Sequence, residues 1–100
     1  MVEYTVEMTE RARRDIDEAF DYIAFRLENP QAAYDLADAI YAGIGDLSFL
    51  PERFPAWKRE PMKSRGVRVM GVKNFNVFYV IDKKRRSICV FRVLYNRRNV

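Results

Sequence analysis

The first residues of the chain alternate between apolar and polar side chains. Positions 2, 4, 6 and 8 are apolar, and positions 3, 5 and 7 carry glutamate or threonine. A period of two is typical of a β-strand with one buried face and one solvated face. We therefore predict a first strand over residues 2–8.

Two amphipathic helices are predicted next. After Thr9, a good N-cap, apolar residues recur every three or four positions as far as Leu27. Asn29-Pro30 stops this helix and caps a second one, whose apolar stripe runs from Ala33 to Leu47. The short link predicts an antiparallel helical hairpin. Within the second helix, Gly43 and Gly45 indicate close packing or the start of fraying.

The segment over residues 50–64 contains three prolines and no regular periodicity, which predicts a loop. We expect its large aromatic residues, Phe54 and Trp57, to close one end of the core, although they could instead stack on nucleic-acid bases.

The last third contains three apolar runs, at residues 65–72, 75–81 and 87–95, separated by short polar turns. Such turns predict antiparallel pairing of consecutive strands. The expected fold class is α+β: an N-terminal strand and an antiparallel two-helix hairpin, packed on one face of a mainly antiparallel four-stranded sheet.

Charge is divided unevenly along a chain whose net charge is +4. Residues 1–50 carry four arginines against eleven carboxylates, a net charge of −7, whereas residues 51–100 carry fourteen basic residues against three carboxylates, a net charge of +11. A basic half of this density indicates an anionic partner, either nucleic acid or an acidic protein segment. The alternative is a dipolar surface on which the two halves neutralise each other.

Length and composition exclude several classes of protein. One hundred residues fit a single domain over 1–100. With one cysteine, Cys89, and no histidine, neither an internal disulfide nor the usual structural zinc site is expected, and we predict no metal and no cofactor. Neither a signal peptide nor a membrane-spanning run is evident, so we expect a cytoplasmic protein without a membrane partner.

Acidic pairs on the predicted helices, such as Asp17 with Asp21, are expected to be solvated surface. On the last strand, simple alternation places Arg92 on the face of Val90 and Leu94, where it must reach solvent or meet an anion. We therefore place the functional site on the basic face of the sheet.

The order of these elements, together with "RGVRVMGVKNFNVFYVID" and the closing "FRVLYNRRN", resembles the RelE/ParE superfamily of bacterial type II toxins along essentially the whole chain. The resemblance implies a toxin that is neutralised by a cognate antitoxin in a hetero-oligomeric complex. RelE-like members cut messenger RNA on the ribosome, and ParE-like members poison DNA gyrase. Both targets stay open, as does a non-toxic module that binds nucleic acid or an acidic protein segment.

The resemblance also implies functional residues. Arg97, and approximately Arg65 and Arg68, match basic positions of RelE-like enzymes. The candidate catalytic residues are Arg68, Arg97 and Tyr95, the last as a replacement for a tyrosine of the C-terminal extension that those enzymes carry. Asn76 stands where they have an arginine. The candidates for binding nucleic acid or a partner are Asn76, Arg65, Arg92 and Arg98.

Overall fold

The computed structural model describes residues 3–96 of the chain. The elements in chain order are β1 (Thr5–Met8), α1 (Glu10–Asp21), α2 (Pro30–Asp46), β2 (Arg68–Val72), β3 (Phe75–Asp82) and β4 (Ser87–Tyr95). A π-helical segment, Tyr22–Arg26, continues α1, and a 3₁₀ turn, Pro51–Arg53, follows α2. The predicted α+β class and the helical hairpin are confirmed. No helix in this part of the chain is long and apolar enough to cross a membrane.

Both predicted helix caps are present. The hydroxyl oxygen of Thr9 accepts a hydrogen bond from the backbone N–H of Ala12 at 3.0 Å, and the side-chain oxygen of Asn29 accepts one from Ala32 at 3.2 Å. The end of the first helix differs from the prediction, because its last turn widens and the N–H of Leu27 donates to the carbonyl of Tyr22, five residues back.

The four strands form one sheet in the order β1-β4-β3-β2. β1 runs parallel to β4, and the other two pairs are antiparallel. The helices cover one face, where the fully buried core includes Ile40, Leu47, Val77, Tyr79 and Ile88. Of the two alternatives predicted for the glycines, close packing holds at Gly43, where a Cβ would lie 3.2 Å from side-chain atoms of Met70 and Val72, but not at Gly45, where a Cβ would meet no atom within 4 Å.

The second strand begins at Arg68, three residues later than predicted. Residues 60–66 form turns instead, so Arg65 lies outside the sheet. The loop runs along the outer edge of β2. The backbone N–H of Trp57 donates to the carbonyl of Val67, and the backbone N–H of Val69 donates to the carbonyl of Pro55. The loop thereby satisfies backbone groups that an edge strand would leave open.

A β-bulge changes the predicted orientation of Arg92. Tyr79 pairs with Val90, but its neighbour Phe78 pairs with Arg92, so Phe91 is the extra residue. An extra residue reverses the alternation of side chains beyond it. The prediction that Arg92 shares a face with Val90 was therefore wrong, although Arg92 and Leu94 do share one.

Candidate functional site

A cavity of about 530 Å³ lies on the sheet face that the helices leave uncovered. We call it the open-face cavity. Two of the residues singled out from the sequence, Asn76 and Tyr95, line it together with Asn96. Its other lining residues come from the loop and from neighbouring strands, and they are Pro55, Ala56, Trp57, Lys58, Arg59, Val69, Phe78 and Leu94.

Trp57 forms one wall of this cavity. Its ring meets that of Phe78 edge to face, with 5.0 Å between the ring centroids. The prediction that both loop aromatics close the core is confirmed for Phe54, which packs against the core. It was wrong for Trp57, which the loop's pairing with β2 carries to the opposite face of the sheet.

Arg68 lies outside the open-face cavity. In the β2–β3 register it is opposite Tyr79, and its guanidinium donates to the carbonyls of Glu52 at 3.2 Å and Phe54 at 2.6 Å. The hydroxyl of Tyr79 donates to the carbonyl of Pro51 at 2.5 Å. Together these bonds fasten the loop after α2 to the covered side of the sheet, and burial raises the pKa of Tyr79.

Arg92 is bound to a buried carboxylate. Its Nε lies 2.9 Å from Oδ2 of Asp15, whose side chain is 3% exposed. The N–H of Val93 donates to the same oxygen at 2.9 Å, and Arg11 lies 3.3 Å from the other oxygen. The hydrogen bond to Asp15 raises the pKa of Arg92. Among residues 3–96, this is the sole ion pair within 4 Å that joins the acidic half of the chain to the basic half.

The remaining basic candidates are not brought into the cavity. Arg65 is exposed in the turn before β2. Arg97 and Arg98 lie outside the described residues, and their roles stay predictions. The cations that do line the cavity, Lys58 and Arg59, were not singled out from the sequence. The basic density of the loop was visible there, but its position over the sheet was not.

A second groove of about 640 Å³ runs between the first helix and the C-terminal half of β4. We call it the helix–strand groove. Charged residues occur at one end, where Asp15 and Glu18 accompany Arg11 and Arg92. The rest is mainly apolar, and its lining includes Ala19, Tyr22, Ile23, Leu27, Phe75 and Leu94. Tyr95 lines both this groove and the open-face cavity.

The chemistry available in the open-face cavity is that of binding groups. Lys58 and Arg59 can neutralise an anion, while the two asparagines and the Tyr95 hydroxyl can donate and accept hydrogen bonds. Neither Arg68 nor Arg92 lines this cavity, and each guanidinium is hydrogen-bonded to other groups. Within residues 3–96, no group of three or more acidic or cysteine side chains is arranged to hold a metal ion.

Comparisons with known proteins give a consistent family. A family model described as the ParE toxin of the type II toxin-antitoxin system parDE matches residues 6–100. No curated protein matches significantly.

Two solved structures illustrate the likeness in fold. A chain of the chromosomal ParDE system from P. aeruginosa superposes with a TM-score of 0.76 at 18% identity, covering 95% of this chain and 98% of that one. A chain of the RelBE2 toxin-antitoxin complex from Mycobacterium tuberculosis superposes with a TM-score of 0.67 at 27% identity, covering 95% and 93%.

Proposed function

Because the chain belongs to the ParE toxin family of type II toxin-antitoxin systems, we propose that it arrests growth by inhibiting DNA gyrase rather than by cutting messenger RNA. A cognate antitoxin holds it silent in the cytoplasm. The resemblance to RelE/ParE toxins leaves both targets open, and the arrangement of the cationic side chains favours gyrase.

The main support for this proposal is that the Arg68 guanidinium is already hydrogen-bonded within the protein. Cleaving RNA through its 2′-hydroxyl needs a proton acceptor and positive charge focused on the phosphate. The guanidinium of Arg68 is instead occupied by the carbonyls of Glu52 and Phe54. Asn76 stands where RelE-like enzymes have an arginine, and an amide has no charge to offer a phosphate.

Tyr95 does not restore the missing catalytic set. This tyrosine supplies no positive charge in place of the arginine that Asn76 replaces. Its observed aromatic contact is with Phe75, at 5.5 Å between ring centroids. This environment supports a binding role for the exposed end of β4, which suits a toxin that acts by occupying its target.

We place the antitoxin in the helix–strand groove. Its apolar lining is continued on the surface by Tyr22 and Leu27, which are 52% and 55% exposed. Beside it, β1 pairs with residues 87–90, and within the described part of the chain no strand covers that side of β4 beyond them. A partner segment seated there would bury apolar surface and contact Tyr95.

Controlled expression in bacteria tests the function as a whole. Induction without the antitoxin should stop growth and leave broken chromosomal DNA, because a poisoned gyrase is trapped on cleaved DNA. Co-expression of the antitoxin should restore growth. Intact DNA with messenger RNA nicked on the ribosome would instead establish an RNase, and normal growth at full expression of folded protein would favour the non-toxic binding module.

A further inference from the structure

Four consecutive basic residues form the turn between β3 and β4. They occupy positions 83–86, with the sequence Lys-Lys-Arg-Arg. β4 runs for nine residues from Ser87 to Tyr95, so at about 3.3 Å per residue the turn lies roughly 25 Å from Tyr95. No residue of the turn lines the open-face cavity or the helix–strand groove. The turn is therefore a surface separate from both.

The backbone of this turn is held in place by hydrogen bonds. Oδ1 of Asp82 accepts one from the backbone N–H of Arg85 at 3.1 Å. The carbonyl of Arg86 accepts another from the backbone N–H of Thr5 at 2.9 Å, which ties the turn to β1. A backbone that is already fixed loses little conformational entropy when a partner binds.

Most of the cations in the turn are available to a partner. Lys84, Arg85 and Arg86 are exposed, and among residues 3–96 none of them has an ion-pair partner. Lys83 differs, because its Nζ lies 2.8 Å from Oε2 of Glu52. The excess of positive charge favours a partner that is negatively charged.

An exposed apolar pair lies beside these cations. Phe49 and Leu50 are 43% and 70% exposed, and they immediately precede the 3₁₀ turn whose Glu52 is paired with Lys83. We call Phe49, Leu50 and residues 83–86 the turn-end patch. It combines apolar side chains with unpaired positive charge.

The backbone at Leu50 is strained. Its φ of 48° and ψ of 56° are left-handed, a conformation that glycine or asparagine adopts far more readily than leucine. The chain nevertheless has an exposed, bulky apolar side chain at this position. Strain of this kind is typical of residues that contact a ligand or a partner.

The combination of groups distinguishes between partners. Phosphates of a nucleic acid would engage the cations and leave Phe49 and Leu50 in water. A protein segment with both carboxylates and apolar side chains would engage the cations and bury the apolar pair, giving the usual interface of an apolar centre with a charged rim. The turn-end patch is thus complementary to an acidic protein segment.

We propose that the turn-end patch is the surface through which the toxin holds gyrase, by an acidic segment of gyrase that carries apolar side chains. This inference rests on the proposed function and adds the location and chemistry of the contact.

Two variants test the two kinds of contact. Leu50→Asn removes the apolar side chain and inserts a residue that tolerates the left-handed backbone, and K84A/R85A removes two exposed cations. Each should weaken binding to purified gyrase about tenfold. Binding is measured without DNA, so that phosphates contribute nothing. Each should also raise the toxin concentration that half-inhibits supercoiling by a similar factor.

Matched controls remove equivalent groups elsewhere. Phe25→Asn replaces a side chain that is 72% exposed in the segment between the helices, and R13A/R14A removes two exposed cations from α1. Both should change gyrase affinity by less than about twofold. Melting temperature and affinity for the antitoxin are measured on all four variants, and the two patch variants should retain both.

The possible failures are distinguishable. A wild-type toxin that neither binds nor inhibits gyrase would refute the proposed function, and this inference with it. Inhibition that both patch variants retain would overturn the inference alone. A loss in K84A/R85A without one in Leu50→Asn would assign the cations to a purely charged partner, and a loss of antitoxin affinity in place of gyrase affinity would assign the patch to the antitoxin. Either result would also overturn the inference.

Discussion

A single carboxylate oxygen of Asp15 accepts hydrogen bonds from Nε of Arg92 and from the backbone N–H of Val93, both at 2.9 Å. Val93 lies beyond the end of β1, on an edge of β4 that no other strand within residues 3–96 covers. Asp15 therefore accepts a backbone hydrogen bond of the kind that a neighbouring strand would accept. It joins α1 to the part of β4 that leads to Tyr95, which lines both the helix–strand groove and the open-face cavity.

Replacing Asp15 by alanine should destabilise the fold strongly. The substitution leaves the N–H of Val93 without its acceptor and Arg92 without its counter-ion, which should lower the free energy of unfolding by about 2–3 kcal/mol. The control is Asp17→Ala, an exposed residue of the same helix, which should change stability by less than about 0.5 kcal/mol. Urea denaturation measures both, and equal effects would show that Asp15 is not the link described.

Arg68→Ala tests the structural role of that guanidinium. Loss of its bonds to Glu52 and Phe54 should lower stability by about 1–2 kcal/mol. Growth arrest should persist at temperatures where the variant stays folded, because Arg68 has no place in the proposed inhibition. A folded variant without toxicity would return Arg68 to the catalytic role that the RelE resemblance implies.

The buried phenol of Tyr79 should make the folded protein less stable in alkaline solution. Burial raises its pKa in the folded protein, partly opposed by the positive charges of Arg68 and Arg53. In the unfolded chain the pKa is about 10. The neutral phenol thus contributes stability that is fully present below about pH 10 and disappears as pH rises through the folded pKa.

Tyr79→Phe cannot titrate at this position, so its stability should fall less than that of the wild type between about pH 8 and pH 11. The variant also loses the hydrogen bond to Pro51, which should cost about 1 kcal/mol at the lower pH. Denaturation curves at the two pH values give both quantities. Parallel losses in the two proteins would exclude Tyr79 as the source.

The glycines of α2 form a matched pair. A Cβ at Gly45 meets no atom within 4 Å, so Gly45→Ala should stabilise the protein by about 0.5–1 kcal/mol through helix propensity alone. At Gly43 the same methyl group meets Met70 and Val72 at 3.2 Å. Gly43→Ala should therefore give a smaller gain or a loss, as measured by thermal denaturation. A larger gain at Gly43 would contradict the packing described.

Arg97→Ala is expected to reduce toxicity and leave the fold intact, as the resemblance to RelE/ParE toxins implies. Growth after induction and the melting temperature of the purified variant check the two halves of this prediction. Full toxicity would remove Arg97 from the functional surface.

Local chemistry made much of this fold predictable. The caps Thr9 and Asn29, the helical hairpin and the three C-terminal strands all follow from side-chain periodicity and from the conformational limits of proline. The two glycines of α2 were not told apart in this way, because Gly43 lies against Met70 and Val72 whereas Gly45 has no atom within 4 Å of its Cβ position.

The candidate site was harder to predict because it depends on non-local pairing. A single extra residue, Phe91, reverses the orientation of Arg92. The pattern of apolar and polar residues in β4 does not predict this bulge. Trp57 reaches the open face because its loop pairs with Val67, ten residues later. From the sequence, Arg68 is expected to be a free cation on the surface, whereas in the structure its guanidinium donates to backbone carbonyls of the preceding loop. In each case the residue interacts with a segment that is distant in the sequence, so the pattern within one strand or loop does not predict the interaction.

The most direct test of the central claim uses purified gyrase and relaxed plasmid DNA. Added toxin should abolish supercoiling and accumulate cleaved plasmid, and pre-incubation with the antitoxin should prevent both, while ribosome-bound messenger RNA stays intact in a parallel reaction. Unimpaired supercoiling, together with cleavage of that messenger RNA at the decoding site, would contradict the account and identify the chain as a ribosome-dependent RNase.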